Sequence, residues 1–216
     1  MTGRREAAFR PDVLETLDVW DAQLLSCGKQ VIDMRAAFAE EIAPHIRTIH
    51  HRISGGKEQL DVSYEPNAEA AELESVIRQA READCRGRMT TRGPHRDDLK
   101  FLVRRTEEGG DARAVDIRTF GSQGQQRTAS LSVKLSEIEV IRERVHDTPV
   151  LLLDDVLSEL DEGRQTSLLD GISGAQTFIT CTGLDDFVKR RFHMDRVFRI
   201  AGNKAVLEDG KEQIPD

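Results

Sequence analysis

The segment Val150-Leu-Leu-Leu-Asp-Asp155 constrains the fold more than any other part of this 216-residue sequence. A continuous apolar run of this kind is typical of a strand that is buried on both faces in a parallel sheet, and it therefore predicts an α/β fold. Open α/β sheets bind ligands at the carboxyl ends of their strands, where Asp154 and Asp155 would lie. Asp154 is suited to hold Mg²⁺, and Asp155 to deprotonate an attacking water. The alternative is a core strand that simply ends in charged residues at the surface.

The remainder of the chain predicts two regions that differ in character near residue 85. Apolar residues recur every three or four positions from Pro11 to Ile53, which predicts a helical region that Pro44 kinks or divides. An alternating segment at 59–65 predicts one strand inserted among these helices. We therefore expect a helical arm at residues 1–85 and an α/β ATPase-type lobe at 86–216, with a mostly parallel sheet and flanking helices. The elements expected after the arm are strands at 99–104, 114–119 and 177–180, helices at 124–145 and 162–172, and a terminal hairpin at 197–208.

A second polar segment, Ser122-Gln-Gly-Gln-Gln-Arg-Thr128, opens the long helix predicted at 124–145. Ser122 offers a hydroxyl, Gly124 a bare backbone and Gln125 a side-chain amide at a helix N-terminus. The N–H groups and the dipole at such a terminus favour an anion. The spacing of Ser122 and Gln125 also fits an ordinary capping box, although a capping box does not account for the density of polar side chains that follows.

Charge and composition exclude several classes of protein. With 31 basic and 39 acidic residues the formal charge is −8, so binding to nucleic acid requires a local basic patch. The segment 86–105 is the candidate, because it holds seven Arg or Lys residues against two Asp residues. Solvated strand and loop edges are the alternative reading of these charges. Three scattered cysteines argue against a disulfide framework or a zinc site, and no stretch approaches the roughly 20 apolar residues of a membrane-spanning helix.

Taken in order, these segments resemble the ABC-type ATPases, in the branch that includes the SMC proteins. Ser122–Thr128 is similar to the signature sequence, Leu151–Asp155 to the Walker B strand, and Ser158-Glu-Leu-Asp161 to the D-loop. More narrowly, Gly93-Pro-His-Arg-Asp-Asp98 and Phe120–Thr128 are similar to the RecF family of bacterial recombination and repair proteins. The resemblance covers about residues 11–216.

This resemblance implies a division of roles between hydrolysis and dimerisation. Asp154 would hold Mg²⁺, and Asp155 would be the catalytic base. ATP held by one subunit would be contacted by the signature of the other, so that ATP joins two heads in a homodimer. The residues that would contact this ATP or face the second subunit are Ser122, Gly124, Gln125, Ser158 and Asp161.

The function that the resemblance implies is ATP-dependent binding of DNA at single-strand gaps and duplex junctions, with weak ATP hydrolysis. It would serve replication and recombinational repair with RecO- and RecR-like partners, and the SOS response. We expect such a protein in the cytoplasm, at the nucleoid and away from membranes.

One motif of a complete ATPase head is missing from the sequence. None of the Gly-Lys pairs at 28–29, 56–57 and 210–211 is followed by Ser or Thr, so there is no G-x-x-x-x-G-K-[ST]. We therefore expect the C-terminal part of such a protein, beginning within the arm and inactive as an ATPase alone. The strand after Walker B also ends in Thr180-Cys-Thr182, without the His that many ABC-type ATPases carry there. Two alternatives stay open: a non-hydrolysing partner half that lends its signature to a separate P-loop protein, or another SMC-like chromosome ATPase.

Overall fold

The computed structural model describes residues 11–106, 113–157, 160–182 and 194–208, with side chains from residue 16 onward. The chain forms two compact units, Met1–Asp147 and Thr148–Asp216. This division does not fall at residue 85, because the strand before that position pairs with the strand after it. The predicted division at residue 85 separates a helical arm from an ATPase lobe by their functions rather than by compactness, and it stays a prediction.

The first unit consists of helices packed around a small antiparallel sheet. The sheet has the strand order β1-β2-β3, and its strands pair with Leu60 opposite Val103. Leu60 and Val103 are buried against Ile42 and Ile46 of the long first helix, together with Ala129 of the last helix. The elements of this unit are α1 (Pro11–Ile53), β1 (Glu58–Glu65), α2 (Leu73–Gly87), β2 (Asp98–Arg105), β3 (Val115–Asp116), α3 (Ile117–Phe120) and α4 (Gln123–Val145).

The first helix, α1, runs through Pro44 without being divided in two. A proline inside a helix removes one backbone hydrogen bond and crowds the preceding turn. Ile42 and Ile46 flank Pro44 and are both almost fully buried in the core, so their burial holds the helix on the sheet across this position. The hydroxyl of Thr48 also donates to the Pro44 carbonyl at 3.0 Å.

The second unit begins with the apolar strand that ends in two carboxylates. It contains β4 (Leu151–Asp154), α5 (Glu162–Gly171), β5 (Thr177–Thr180), β6 (Val197–Ala201) and β7 (Lys204–Glu208). The strands β4 and β5 are parallel, as the sequence predicts, and β6 and β7 form an antiparallel hairpin. Gly202 and Asn203 both have positive φ at the turn of this hairpin, which is the geometry of a two-residue type I′ connection.

The prediction that β4 is buried on both faces is wrong for the part of the chain that the structure describes. Leu152 is 77% exposed, and Phe178, its partner in the parallel register, is 55% exposed. Side chains alternate across a strand, so these two lie on the face opposite to Leu151, Leu153 and Ile179, which are partly buried. One face of this two-stranded sheet is thus open. No helix among the described residues is long and apolar enough to span a bilayer.

Candidate nucleotide site

Thr180 joins the two carboxylate residues at the carboxyl end of the parallel strands. Asp154 lies opposite Thr180 in the register of β4 and β5, and the Thr180 hydroxyl donates a hydrogen bond to Asp154 Oδ1. The same hydroxyl and the Thr180 carbonyl accept from the backbone N–H of Asp155, each at 3.1 Å. Thr180 therefore fixes one carboxylate directly and the next residue through its backbone. The sequence indicated only that this strand end lacks a His.

The backbone turns sharply at Asp155, immediately after β4. Its φ of +49° lies in the left-handed region, which Asp and Asn occupy more readily than most other non-glycine residues. Asp154 and Asp155 are both exposed, so consecutive carboxylates reach solvent at one strand end. This places both predicted residues, Asp154 and Asp155, together at the edge where α/β sheets bind ligands.

The donor set at this edge fits a magnesium ion that is bound together with a nucleotide. Mg²⁺ takes oxygen ligands and is usually held by one or two carboxylates, with water and phosphate in the remaining positions. Thr180 occupies Asp154 Oδ1 and leaves Oδ2 without a hydrogen-bond partner among the described residues. The described ranges, this edge included, contain no group of three or more His, Cys, Asp or Glu side chains that could hold a metal, so Mg²⁺ here would need water and phosphate as its other ligands.

A buried glutamine that no sequence motif indicated, Gln165, bonds to the backbone of two residues that follow Asp155. Gln165 is buried, and its amide nitrogen donates to the carbonyls of Leu157 at 2.9 Å and Leu160 at 3.1 Å. Asp161 caps α5 by accepting from the backbone N–H of Arg164 at 3.0 Å and also pairs with its guanidinium. Ser158, the other predicted D-loop residue, lies outside the described residues.

The predicted signature segment forms a complete capping box at the start of α4. Ser122 Oγ accepts from the backbone N–H of Gln125 at 3.2 Å, and Gln125 Oε1 accepts from the backbone N–H of Ser122 at 2.9 Å. Gly124 lies between them in the first helical turn, where it is partly buried. The capping role that the spacing allowed is therefore real, and the structure brings Ser122, Gly124 and Gln125 together.

Capping does not use up the hydrogen-bond donors of this segment. A serine hydroxyl that accepts a backbone N–H still has its own hydrogen to donate, and a glutamine amide nitrogen has two hydrogens. Ser122 is exposed, and Gln125 is partly buried. The cap therefore fixes the donors of Ser122 and Gln125 at a helix N-terminus, which is an arrangement that suits a phosphate group.

The Gly93–Asp98 segment, for which no sequence motif indicated a role, is joined through Asp97 to α1, to β1 and to the turn after β1. Asp97, whose side chain is 2% exposed, accepts from Arg35 of α1 at 3.0 Å and from the Tyr64 hydroxyl of β1. Its other oxygen accepts from the backbone N–H of Asn67 at 2.8 Å. Burial, and secondly the contact with Asp97, raise the pKa of Tyr64 to about 12. Asp97 thus ties the turn before β2 to the arm.

Comparison with known proteins gives a consistent result over nearly the whole chain. The DNA replication and repair protein RecF of Agathobacter rectalis is 49% identical over 205 residues, which is 95% of this chain and 54% of the relative. RecF of Lachnospira eligens is 43% identical over 207 residues, again 95% of this chain and 54% of the relative. The chain spans about half the length of these curated relatives. No protein-family model matches it.

A solved structure of the recombination mediator protein RecF-ATPrS in the RecFOR pathway superposes with a TM-score of 0.73 and 32% identity. The match covers 94% of this chain and 52% of that one. The fold, with the parallel strand pair that ends in Asp154, is that of an ABC-type ATPase lobe. Over the length that it spans, the chain is homologous to the RecF proteins, so the predicted resemblance is confirmed.

Proposed function

We propose that this chain is the signature and Walker B portion of a RecF-type DNA repair ATPase, which binds ATP between two heads. The observation that carries the proposal is the arrangement of Asp154, Thr180 and Asp155 at the end of two parallel strands, in a sequence 49% identical to a RecF protein. Solved RecF structures are described with ATP and with ATPrS, which supports ATP as the nucleotide.

In this proposal the two carboxylates divide the work of hydrolysis. Asp154, oriented by the Thr180 hydroxyl, would hold Mg²⁺ through its carboxylate. When bound, Mg²⁺ supplies positive charge that offsets the charge of the phosphates. Asp155 would orient a water and accept its proton, since it is an exposed carboxylate next to Asp154 in sequence and a carboxylate can act as a general base. Thr180 fixes the spacing of these groups through the hydrogen bonds described above.

The signature and the D-loop serve the second subunit in this proposal. The Ser122 hydroxyl, the Gly124 backbone and the Gln125 amide contact the γ-phosphate of ATP that is held by the partner. Ser158 and Asp161 face the same partner. Since neither subunit then completes a site alone, ATP promotes a homodimer.

A group of exposed arginines supports DNA as the partner of this ATPase. Within 86–105, Arg86 is paired with Glu82 and Lys100 with Glu65, while the two Asp residues are themselves paired with arginines. Some cations of the segment are exposed and have no carboxylate within ion-pair distance among the described residues: Arg88, Arg92, Arg96, Arg104 and Arg105. We call these five residues the arginine patch. We propose that the arginine patch contacts the phosphate backbone at single-strand gaps and duplex junctions.

Salt dependence of DNA binding tests the arginine patch. Each phosphate contact that is removed from duplex DNA lowers the slope of log affinity against log salt by about 0.9. The triple variant Arg92→Ala/Arg96→Ala/Arg104→Ala should therefore bind gapped DNA more weakly and with a shallower slope. Arg78→Ala is the matched control, because Arg78 is exposed but paired with Glu74. An unchanged slope in the triple variant contradicts the assignment.

Nucleotide binding tests the proposed function as a whole. A labelled ATP analogue with Mg²⁺ is added to the chain alone and to the chain combined with a P-loop-bearing segment from a RecF protein. We expect tight binding, ATP-dependent dimerisation and slow hydrolysis only in the combined sample, and loss of hydrolysis in Asp155→Asn. Binding and dimerisation without hydrolysis would favour a partner half that only lends its signature. Tight binding by the chain alone contradicts the proposal. Recruitment of RecO- and RecR-like mediators is a further part of the same proposal.

A further inference from the structure

A carboxylate on strand β1 contacts the signature of helix α4 directly. Glu58 Oε1 accepts a hydrogen bond from the side-chain Nε2 of Gln125 at 2.7 Å, although the two residues are 67 positions apart in sequence. The bond is charge-assisted, which makes it about twice as strong as a bond between neutral groups. Glu58 is thus placed to control the conformation of Gln125.

The chemistry of the partners allows only one orientation of the Gln125 amide. Its oxygen must face the backbone N–H of Ser122, which is a donor, and its nitrogen must face Glu58, which is an acceptor. A flipped amide would set donor against donor and acceptor against acceptor. Glu58 therefore selects the orientation in which the amide keeps a second Nε2 hydrogen that is used neither by Glu58 nor by the cap.

Glu58 is itself held firmly at the first position of β1. Its backbone N–H donates to Ser54 Oγ at 3.2 Å, and its carbonyl accepts from the same hydroxyl at 3.2 Å. Both bonds close the short turn between α1 and β1. The side chain of Glu58 is only 16% exposed, so the carboxylate has little freedom to move away.

A buried histidine of α1 lies behind this carboxylate. His50 is fully buried, with Nδ1 at 3.1 Å from Ser132 Oγ and Nε2 at 3.5 Å from Glu58 Oε2. The Ser132 hydroxyl already donates to the Thr128 carbonyl at 2.7 Å, so it accepts from Nδ1–H. In neutral His50 the unprotonated Nε2 then faces a carboxylate without a hydrogen bond. Neutral His50 therefore donates no hydrogen bond to Glu58, and the Glu58 carboxylate stays free to accept from Gln125.

We propose that Glu58 is the positioning residue through which the arm presents the signature amide of Gln125 to ATP on a second subunit. The inference rests on the proposed function, because it assumes that Gln125 contacts this ATP. Elements α1, β1 and α4 meet at the Glu58 carboxylate. Loss of that carboxylate frees the Gln125 amide and weakens dimerisation, while nucleotide binding to the P-loop of the same subunit continues.

The test measures the ATP concentration at which the chain, combined with its P-loop-bearing segment, becomes half dimeric in analytical ultracentrifugation. Glu58→Ala should raise this concentration about tenfold, the effect of one charge-assisted hydrogen bond. Glu58→Gln should raise it only about threefold, because its amide oxygen still accepts from Gln125 through a neutral bond about half as strong, and its N–H₂ can donate to His50 Nε2. ATP binding to monomers at low protein concentration should be unchanged in both variants.

The control is Asp61→Ala, since Asp61 is on the same strand and binds Arg47 of the arm but does not touch the signature. It should dimerise like the parent protein. If Glu58→Ala does not fold, Glu58→Asp withdraws the carboxylate from Gln125 while keeping the charge, and the same tenfold loss is expected. Normal dimerisation of the Ala or Asp variant, or a Gln variant as weak as the Ala variant, overturns the inference. Failure of the parent protein to dimerise with ATP would instead refute the proposed function.

Discussion

Thr180 and Asp154 stand opposite each other in the parallel strands β4 and β5, and the hydroxyl of Thr180 donates to a carboxylate oxygen of Asp154. One small side chain thus orients the carboxylate proposed to hold Mg²⁺. Mutation of a group that orients a metal ligand typically lowers metal affinity or activity by about 10- to 100-fold. The register of β4 and β5, which sets Thr180 opposite Asp154, therefore determines the orientation of the carboxylate that is proposed to bind Mg²⁺.

Replacement of Thr180 by valine should lower ATP hydrolysis by at least about tenfold in the combined protein, because Asp154 loses its orienting hydrogen bond. Stability should change by no more than about 1 kcal/mol, since Asp154 is exposed to water. Steady-state ATPase assays and urea unfolding measure the two effects. Thr180→Ser should restore activity, and Thr182→Val, at an exposed neighbouring position, is the control. Full activity in Thr180→Val would rule out the orienting role.

Asp97→Asn should destabilise the first unit by about 3 kcal/mol, because a buried carboxylate that accepts from several donors becomes an amide with a donor of its own. Urea unfolding monitored by circular dichroism measures the loss. The matched control is Asp98→Asn, because Asp98 is exposed and pairs with Arg118 on the surface. A surface pair of this kind contributes about 1 kcal/mol or less. Equal effects of the two variants would show that Asp97 does not anchor the arm.

The phenol of Tyr64 provides a spectroscopic check of the same contact. Tyr64 is the only tyrosine of the chain, so absorbance at 295 nm follows its ionisation without overlap. Burial, and then Asp97, raise its pKa to about 12, and the midpoint should lie there in the folded chain. The urea-unfolded chain, with a midpoint near 10, is the internal control. As the pH rises, the phenol loses its proton in the unfolded chain before it does so in the folded chain. The contribution of Tyr64 to the free energy of unfolding is therefore fully present below about pH 10 and is lost as the pH rises towards 12.

Because His50 is buried, we expect the free energy of unfolding to fall in acid as well as in alkali. Burial lowers the pKa of His50 below 6.5, partly opposed by the charge of Glu58 and assisted by His51. As the pH falls, the unfolded chain therefore takes up a proton before the folded chain does. The contribution of His50 to the free energy of unfolding is fully present above about pH 6.5 and is lost as the pH falls below that value. Urea midpoints measured from pH 8 to pH 5 should fall more steeply in the parent than in His50→Gln. His51→Gln, at the exposed neighbouring histidine, should keep most of the parent slope, because His51 is the smallest of the influences on the pKa of His50.

Gly121→Ala should destabilise the start of α4. A Cβ at this position would lie 2.4 Å from the backbone oxygen of Ile117 and 2.6 Å from its Cγ1, so the backbone of α3 must shift. Overpacking of this kind costs about 1 to 3 kcal/mol. Thermal unfolding should show a lower midpoint than the parent. Gly87→Ala is the control, because no atom beyond the adjoining backbone of its own helix lies within 4 Å of the added carbon, and it should leave the midpoint unchanged or raise it.

The elements that could be predicted from sequence are those with a local signal. The alternation of apolar and polar residues predicted β1, the apolar run predicted β4, and the spacing of Ser122 and Gln125 predicted the capping box of α4. Contacts between distant elements carry no such local pattern. Glu58 reads as an ordinary polar strand residue, and nothing near it in sequence identifies its partner on α4.

The open face of β4 and β5 could not be predicted for a related reason. An apolar run signals that a strand prefers burial, but it does not tell which part of a protein provides the cover. Leu152 and Phe178 are exposed in this chain although their residue types favour a core. The position of Asp154 at the strand end was nevertheless predicted correctly, because it depends only on where the apolar run ends. Its role in holding Mg²⁺ stays a prediction.

The positive φ of Asp155 affects how its proposed catalytic role can be tested. Alanine at this position would remove the carboxylate and also place a residue with no side-chain oxygen in a left-handed conformation, which costs about 1 kcal/mol or more. Loss of activity in such a variant would therefore mix chemistry with a distorted turn. Asparagine tolerates the same backbone, so comparison of Asp155→Asn with Asp155→Ala separates the two contributions. The conformation of this one residue thus decides which substitution gives an interpretable genetic experiment.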